Sequence, residues 1–455
     1  MATIVTIETP SLGDRSYLAH DGEVAIVVDP QRDIDRVLAA ADQAGVRITH
    51  VFETHIHNDY VTGGLALAKA TGAAYHVNAD DPVSFERSPI RDLDTIAVSS
   101  TLRVRAIATP GHTYTHLSYA LESDGEPVGV FTGGSLLFGA TGRPDLLGAD
   151  HTHDLVHHQF ASAHRLADTL PEQTQVLPTH GFGSFCAAGS TSGASASTLG
   201  QEKRANPALT QHEDRWVADT LAGLDDYPAY YAQMGPANSA GPGAPDLSTP
   251  EPADKATLGR RIAGGEWVVD LRNRSAFADG HVVGTLSFSL DGQFSTYLGW
   301  LIPWGTPLTL LGDSPEQVAE AQRELVRIGI DHLEGAATGR PADWARTPLG
   351  SFARAGFADL AAVRHHRNVS ILDVRQVSEF AAGHIDGAVN IPLNDLLARV
   401  KEVADDEVWV HCASGYRAST AASIVAATGG KVVLVDDDFG ANAAAAGLPV
   451  VPLAA

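Results

Sequence analysis

Short runs of β-branched and apolar residues recur through the first 185 residues, each bounded by Gly, Asp or Pro. Residues 4–6, 24–28, 48–52, 102–106, 128–131 and 175–177 read as strands, because runs of that length with turn residues at both ends suit a buried sheet. Residues 33–44 and 154–169 carry apolar positions at helical spacing. Strands alternating with helices in this way predict a mixed α/β domain.

Beyond residue 187 the pattern breaks. GSTSGASAST is followed by a helical stretch at 211–221, then by GPANSAGPGAPDLSTPEPAD, whose Gly, Pro and Ser content reads as an extended, flexible linker. A domain boundary is expected at 240–255. After it the chain repeats itself: VVDLRNRSAFADGHVVG at 268–284 matches ILDVRQVSEFAAGHIDG at 371–387 with a constant offset of 103 residues. Asp270, Arg272, Phe277, Gly280, His281 and Gly284 fall on Asp373, Arg375, Phe380, Gly383, His384 and Gly387. So many identities at one offset imply two tandem copies of one α/β module.

Composition narrows the function. The 455 residues carry 31 Lys+Arg against 55 Asp+Glu, a formal net charge of −24. An acidic chain without a basic run argues against nucleic acid or an anionic membrane as the main partner. No stretch approaches the ~18 to 20 apolar residues that span a bilayer, and the N-terminus lacks a basic segment followed by an apolar one, so a cytoplasmic location is expected. The two cysteines, Cys186 and Cys412, read as separate thiols. Cys186 reads as a small buried hydrophobe, and Trp300 and Trp304 as core residues.

Histidines gather where strands end. Thr54-His55-Ile56-His57-Asn58-Asp59-Tyr60 follows the strand at 48–52, Thr109-Pro110-Gly111-His112 follows that at 102–106, and Pro178-Thr179-His180-Gly181 follows that at 175–177. Imidazoles converging from three strand ends suit a metal such as zinc or iron. His151, His153, His157 and His158 sit on or beside a predicted helix and read as surface or packing residues; His116 fits either role.

The THIHNDY loop, with the later Gly-His elements, resembles the signature of the metallo-β-lactamase superfamily over residues 1–190. The resemblance implies an αββα sandwich with metal at one edge. It places His55, His57 and His112 in a first metal site, and Asp59 and His180 in a second. Tyr60 stands where dinuclear members have another histidine, and Phe131-Thr132-Gly133-Gly134 has glycine where they have an aspartate. Those departures imply one metal rather than two, and the reading from the residues puts it on His55, His57 and His112. Glu53 to His57, Gly142-Arg143-Pro144-Asp145-Leu146, Gly181 to Ser184 and Ser197 to Lys203 are similar to strings of the persulfide dioxygenases, which use mononuclear ferrous iron and occur fused to rhodanese domains. That resemblance favours Fe(II), with Zn(II) as the other candidate; in it the ligands fall on His55, His112 and Gly134, the last unable to ligate.

In the last module, Cys412-Ala413-Ser414-Gly415-Tyr416-Arg417 links an apolar strand at 408–411 to a helical pattern at 418–427. A cysteine at such a turn faces backbone N–H groups and a helix N-terminus, which favour thiolate, and Arg417 adds positive charge. Glycine at 415 suits a backbone with φ above zero. C-x-x-G-x-R, with Asp373 to Arg375 and Glu379 to Pro392, resembles the rhodanese sulfurtransferases. The resemblance makes Cys412 the nucleophile, Arg417 a positioning group, and the backbone of Ala413, Ser414, Gly415 and Tyr416 the substrate cradle. The middle copy has Leu308 to Ser314 at the matching place, without cysteine or arginine.

The expected organisation is therefore a metallo-β-lactamase-like domain at 1–190, a helical extension and linker at 191–254, an inactive rhodanese-like domain at 255–350 and an active one at 355–455. The preferred function joins oxidation of a low-molecular-weight thiol persulfide to sulfur transfer through Cys412. Sulfite and thiosulfate are the other small-molecule partners, and a homo-oligomer is one candidate assembly. The alternatives are a hydrolase resembling glyoxalase II, or a metal-free binding module serving the cysteine.

Overall fold

In the computed structural model, residues 2–364, 366, 369–403 and 407–453 are described, and the chain divides into two compact units. The first comprises Met1–Pro245 with Val326–Gly329, and the second Asp246–Leu325 with Ile330–Ala455. The apolar runs of the first unit pair into two sheets. Strands β1 (Thr3–Thr9), β2 (Asp14–His20), β3 (Val24–Val28), β4 (Arg47–Phe52), β5 (Ala74–Asn78) and β6 (Ser88–Ile90) form one sheet in sequence order. Strands β7 (Thr95–Ala97), β8 (Leu102–Ala108), β9 (Leu117–Ser123), β10 (Glu126–Gly133), β11 (Gln175–Pro178) and β12 (Ser197–Thr198) form the other.

Alternation of side chains along the strands gives each sheet two apolar faces. Tyr17, Ile26, Val28 and Phe52 of the first sheet meet Val104, Leu117, Tyr119 and Phe131 of the second in one buried cluster. The outer face of the first sheet packs Val27 and Val51 beneath the helices Asp35–Ala44 and Gly64–Thr71. On the outer face of the second, Val130 and Val176 lie beneath Ala149–Thr169 and Glu213–Ala222. Helix, sheet, sheet and helix thus make four layers. Strands β3, β4, β8, β10 and β11 end at the same rim, where the loops carrying the histidines begin.

One segment departs from the sequence expectation. Tyr231–Ala240, which enters the Gly/Pro/Ser string, is helical despite Pro236 in its interior. Asn238, 1% exposed, explains why. Its Oδ1 accepts from Thr62 N at 2.9 Å, and its Nδ2 donates to the carbonyls of His57 and Tyr60 at 2.8 Å each. One amide side chain satisfies three backbone groups of the histidine loop, and that tertiary gain overrides poor helix propensity. Asn238→Ala leaves those groups without their partner and is expected to destabilise the loop by about 2 to 4 kcal/mol. The check is amide exchange over residues 54–62, which should accelerate accordingly.

The second unit holds the repeat. Strands β13 (Trp267–Asp270), β14 (Leu286–Ser287), β15 (Leu308–Gly312) and β16 (Gly335–Thr338) form a parallel sheet in the order β14-β13-β15-β16. Strands β17 (Ala353–Ala355), β18 (Ser370–Asp373), β19 (His384–Ile385), β20 (Val389–Asn390), β21 (Val408–His411), β22 (Val432–Val435) and β23 (Val450–Val451) follow. Five of them make a second parallel sheet in the order β17-β22-β21-β18-β20.

The two modules share one clasp. Arg272 donates to both carboxylate oxygens of Asp270, at 3.0 and 2.7 Å, and to Gly280 O at 2.9 Å. Arg375 does the same with Asp373, at 2.9 and 2.6 Å, and with Gly383 O at 2.8 Å. His281 and His384 each bond a carbonyl four residues back, and each stacks on the phenylalanine there. Trp300 is buried, whereas Trp304 is 46% exposed and so corrects the expectation that both belong to the core. Among the described residues, no helix is long and apolar enough to cross a membrane.

Candidate functional sites

The histidine loops meet at the rim of the first unit. His55, His57, Asp59, His112 and His180 are all buried, none more than 2% exposed. The structure groups His55 with His112 and His180, their ligand atoms lying within 4.8 Å of one another. Hydrogen bonding orients each ring. Thr54 Oγ1 donates to Asp29 Oδ2 at 2.7 Å and so accepts from His55 Nδ1 at 2.9 Å. His112 Nδ1 donates to Arg143 O at 2.8 Å, and His180 Nδ1 to Asp14 Oδ1 at 2.9 Å. With every Nδ1 donating, the three Nε2 atoms are left to ligate.

Two of those atoms, on His55 and His180, stand 3.4 Å apart, and His112 Nε2 is buried with no hydrogen-bond partner. Ring nitrogens facing one another in a buried pocket fit a bound cation. The surrounding charge agrees. Burial opposes charge on His180, but the carboxylates of Asp59 and Asp14 outweigh it and hold its pKa well above the usual imidazole range. Those carboxylates favour positive charge on the ring, and a metal at Nε2 supplies it in place of a proton. Burial, helped by neighbouring imidazoles, pushes His55 well down and His112 to about 3, so both stay neutral and able to ligate. The donor set therefore fits one metal ion on His55, His112 and His180.

This grouping differs from the one expected from the sequence. His57 takes a different role, because its Nε2 faces Tyr60 Oη at 3.0 Å, Glu53 Oε2 at 3.2 Å and Asp29 Oδ1 at 3.3 Å. Burial works against its charge, yet Asp29 and then Glu53 raise its pKa to about 9. Its Nδ1 is buried without a partner, and His57 belongs to two further possible groups, one with Asp59 and His180 and one with Asp29 and Glu53. Asp59 Oδ2 lies 3.1 Å from His180 Nδ1, on the side of the ring away from Nε2. It thus acts on the first group by orienting His180, together with Asp14.

Gly134 is more than a missing ligand. A Cβ there would come within 2.3 Å of His112 Cδ2, so the imidazole occupies the space a side chain would need. His116 is a structural residue: its Nδ1 pairs with Thr109 Oγ1 at 2.9 Å and its Nε2 accepts from Gly134 N at 3.1 Å. Arg143 of the Gly-Arg-Pro-Asp element forks onto Asp145 at 2.6 and 2.7 Å, which steadies the carbonyl that holds His112. Cys186 is buried, its Sγ 3.7 Å from Tyr231 Oη, and burial pushes its thiol pKa well up. His151, His153 and His158 lie exposed on the helix Ala149–Thr169, and His157, half-buried on the same helix, pairs with Glu213 at 2.7 Å. Asp14, Asp29 and Asn238 have no part in the sequence reading, and Glu53 enters it only at the head of a string. Asp29 carries the one available signal, an acidic residue directly after an apolar strand.

The second site lies where β21 meets the helix Tyr416–Ala427. Cys412, 2% exposed, receives the Gly415 N–H on its Sγ at 3.1 Å. Gly415 has φ 95°, and a Cβ there would strike Asp436 Oδ1 at 2.3 Å, so both conformation and space require glycine. The sulfur thus faces a backbone donor at a helix N-terminus, which stabilises an anion. Arg417 Nη1 and Nη2 donate to the two oxygens of Glu379, at 2.5 and 2.9 Å. That fork ties the loop to the helix Val377–Ala382. Of the predicted cradle, Ser414 is exposed, Ala413 is half-buried and hydrogen-bonded through its carbonyl to Phe439 N, and the Tyr416 side chain turns to the middle module.

Comparison with known proteins matches both regions. The Metallo-beta-lactamase superfamily profile matches residues 14–180, and the Rhodanese-like domain profile matches 357–444. A hydroxyacylglutathione hydrolase of Polaromonas sp. (strain JS666 / ATCC BAA-500) is 31% identical over 161 residues, 35% of this chain and 57% of that protein. One from Maricaulis maris (strain MCS10) is 30% identical over 191 residues, 40% of this chain and 68% of its own length. The chain thus spans just over half of the first relative and about two thirds of the second. The crystal structure of a metallo-beta-lactamase from Staphylococcus aureus subsp. aureus COL superposes with a TM-score of 0.66 at 28% identity, covering 74% of this chain and 99% of that one.

Proposed function

Because this chain belongs to the metallo-β-lactamase superfamily and ends in a rhodanese-like domain, we propose that it is a sulfur-handling enzyme with two reaction centres. Cys412 carries sulfane sulfur as a persulfide, and the first unit oxidises a low-molecular-weight thiol persulfide. The observation that carries this reading is the Cys412 sulfur held 3.1 Å from the Gly415 N–H at a helix N-terminus.

In the transfer half, the Cys412 thiolate attacks the outer sulfur of a donor, and the donor's S–S bond breaks with its electron pair on the leaving group. Sulfite then attacks the outer sulfur of the Cys412 persulfide, yielding thiosulfate and the free cysteine. In the oxidation half, one thiol persulfide, one O2 and one water give one thiol and one sulfurous acid. A metal on His55, His112 and His180 would supply O2 activation if iron, or a water of lowered pKa if zinc. Asp14 and Asp59 hold the His180 ring, and Asp29 acts through Thr54 on His55. These carboxylates orient the ligand rings and make them better donors.

A hydrolase is the second reading, supported by the hydroxyacylglutathione hydrolase relatives. It cleaves a thioester without consuming oxygen. Anaerobic purification, loading with Fe(II) or Zn(II), metal analysis and oxygen uptake separate the two. The expected result is about one iron per chain and oxygen uptake that depends on glutathione persulfide. Thioester hydrolysis by the zinc form with no oxygen uptake selects the hydrolase. Metal below about a tenth per chain overturns both and leaves a binding module.

A further inference from the structure

The middle module has no nucleophile, yet it is built against the Cys412 loop. Ser287 lies at the centre of the contact. Its N–H donates to Ser423 Oγ at 3.0 Å, its carbonyl accepts from Thr420 Oγ1 at 2.8 Å, and its hydroxyl lies 3.0 Å from Ser419 Oγ. All three partners stand on the helix whose N-terminus faces the cysteine. Tyr416 extends the contact by donating to Ser289 O at 3.0 Å, with its ring packed against Gly292 and 5.7 Å from that of Tyr297.

Arg274, also from the middle module, reaches the loop itself. Its Nε donates to Asp436 Oδ1 at 2.8 Å, and a Cβ on Gly415 would lie 3.1 Å from that same nitrogen. Gly415 is the residue whose N–H meets the Cys412 sulfur. Its Nε therefore lies against the residue whose N–H meets the nucleophile. The other arginine of the site is committed, since both terminal nitrogens of Arg417 are bound by Glu379. Arg274 is not: its Nη1 is 3.7 Å from Asp291, beyond hydrogen-bond reach, and its side chain is 27% exposed. Burial works against its charge, but Asp436 outweighs it, with Asp291 and Cys412 adding to the effect.

We infer that Arg274 is the specificity-determining residue of the Cys412 site, lent by the module without a nucleophile, and that it selects oxyanionic sulfur compounds. Thiosulfate as donor and sulfite as acceptor both carry the sulfonate-type oxygens that a guanidinium fork binds. With thiosulfate, the thiolate bonds to the outer sulfur, the S–S bond breaks, and the electron pair leaves on sulfite. The inference rests on Cys412 being the sulfurtransferase nucleophile.

The test uses the full chain with thiosulfate as donor and cyanide as acceptor. Arg274→Gln is expected to raise KM for thiosulfate about tenfold or more while kcat stays within about threefold, with Arg274→Lys recovering part of the loss. Alkylation of Cys412 by neutral iodoacetamide should stay within about twofold of the parent rate, because that probe has no oxyanion. An unchanged KM overturns the inference, and so does alkylation that slows in parallel, which would make Arg274 a brace for the loop. Transfer retained by Cys412→Ser would instead sink the underlying reading.

Discussion

On the proposed sulfurtransferase reading, Cys412→Ser is expected to lower sulfur transfer from thiosulfate by about 10³-fold or more, the loss expected when the group proposed to form the covalent intermediate is removed. Serine is nearly isosteric and can still meet the Gly415 N–H, so the loop keeps its shape. Its hydroxyl stays protonated near neutral pH and forms no persulfide. The distinction is therefore chemical rather than structural. Mass spectrometry after thiosulfate treatment checks it, because the parent protein gains one sulfur and the variant none. Transfer that persists in the variant would assign the reaction to another group, and Cys186, with its high thiol pKa, is the remaining thiol to examine.

The second large effect concerns the metal. His180→Gln is expected to leave metal below about a tenth per chain, a loss of at least about 10²-fold in affinity, while His57→Gln stays within about twofold of the parent. The ring contacts set the two apart. His180 presents Nε2 to His55 Nε2 at 3.4 Å, whereas His57 commits Nε2 to Asp29, Glu53 and Tyr60. Glutamine keeps an N–H donor toward the carboxylates in both variants, so neither leaves a buried charge wholly unpartnered. Elemental analysis after anaerobic loading with Fe(II) or Zn(II) decides. Metal lost from His57→Gln and kept by His180→Gln would restore the grouping expected from sequence.

Sequence reading stops between those two histidines. Their presence at the rim is legible because each follows an apolar strand, and strand ends on one rim bring their loops together whatever lies between. Ring orientation is not, because the groups that set it are remote along the chain: Asp14 and His180 are 166 residues apart. Gly134 reads as an absent ligand, and only the packing shows His112 filling the space. The stretch Tyr231–Ala240 illustrates a different failure. Local composition speaks for a flexible linker, and three hydrogen bonds from Asn238 overrule it. The strand, glycine, arginine and helix of the cysteine loop are legible because they are contiguous, but the directions in which Tyr416 and Arg417 turn are not. Nor are the loop's neighbours from the middle module.

The repeated aspartate–arginine clasp bears on how such a chain could arise. Each copy closes a strand end onto its own following helix, by the same bonds, whether or not the module carries a cysteine. Folding and chemistry thus depend on separate residues. After duplication, one copy could discard its nucleophile without losing the clasp, and selection could then act on its surface alone. A clasp present in both modules, with cysteine in one of them, leaves the surface of the other open to change without cost to its closure.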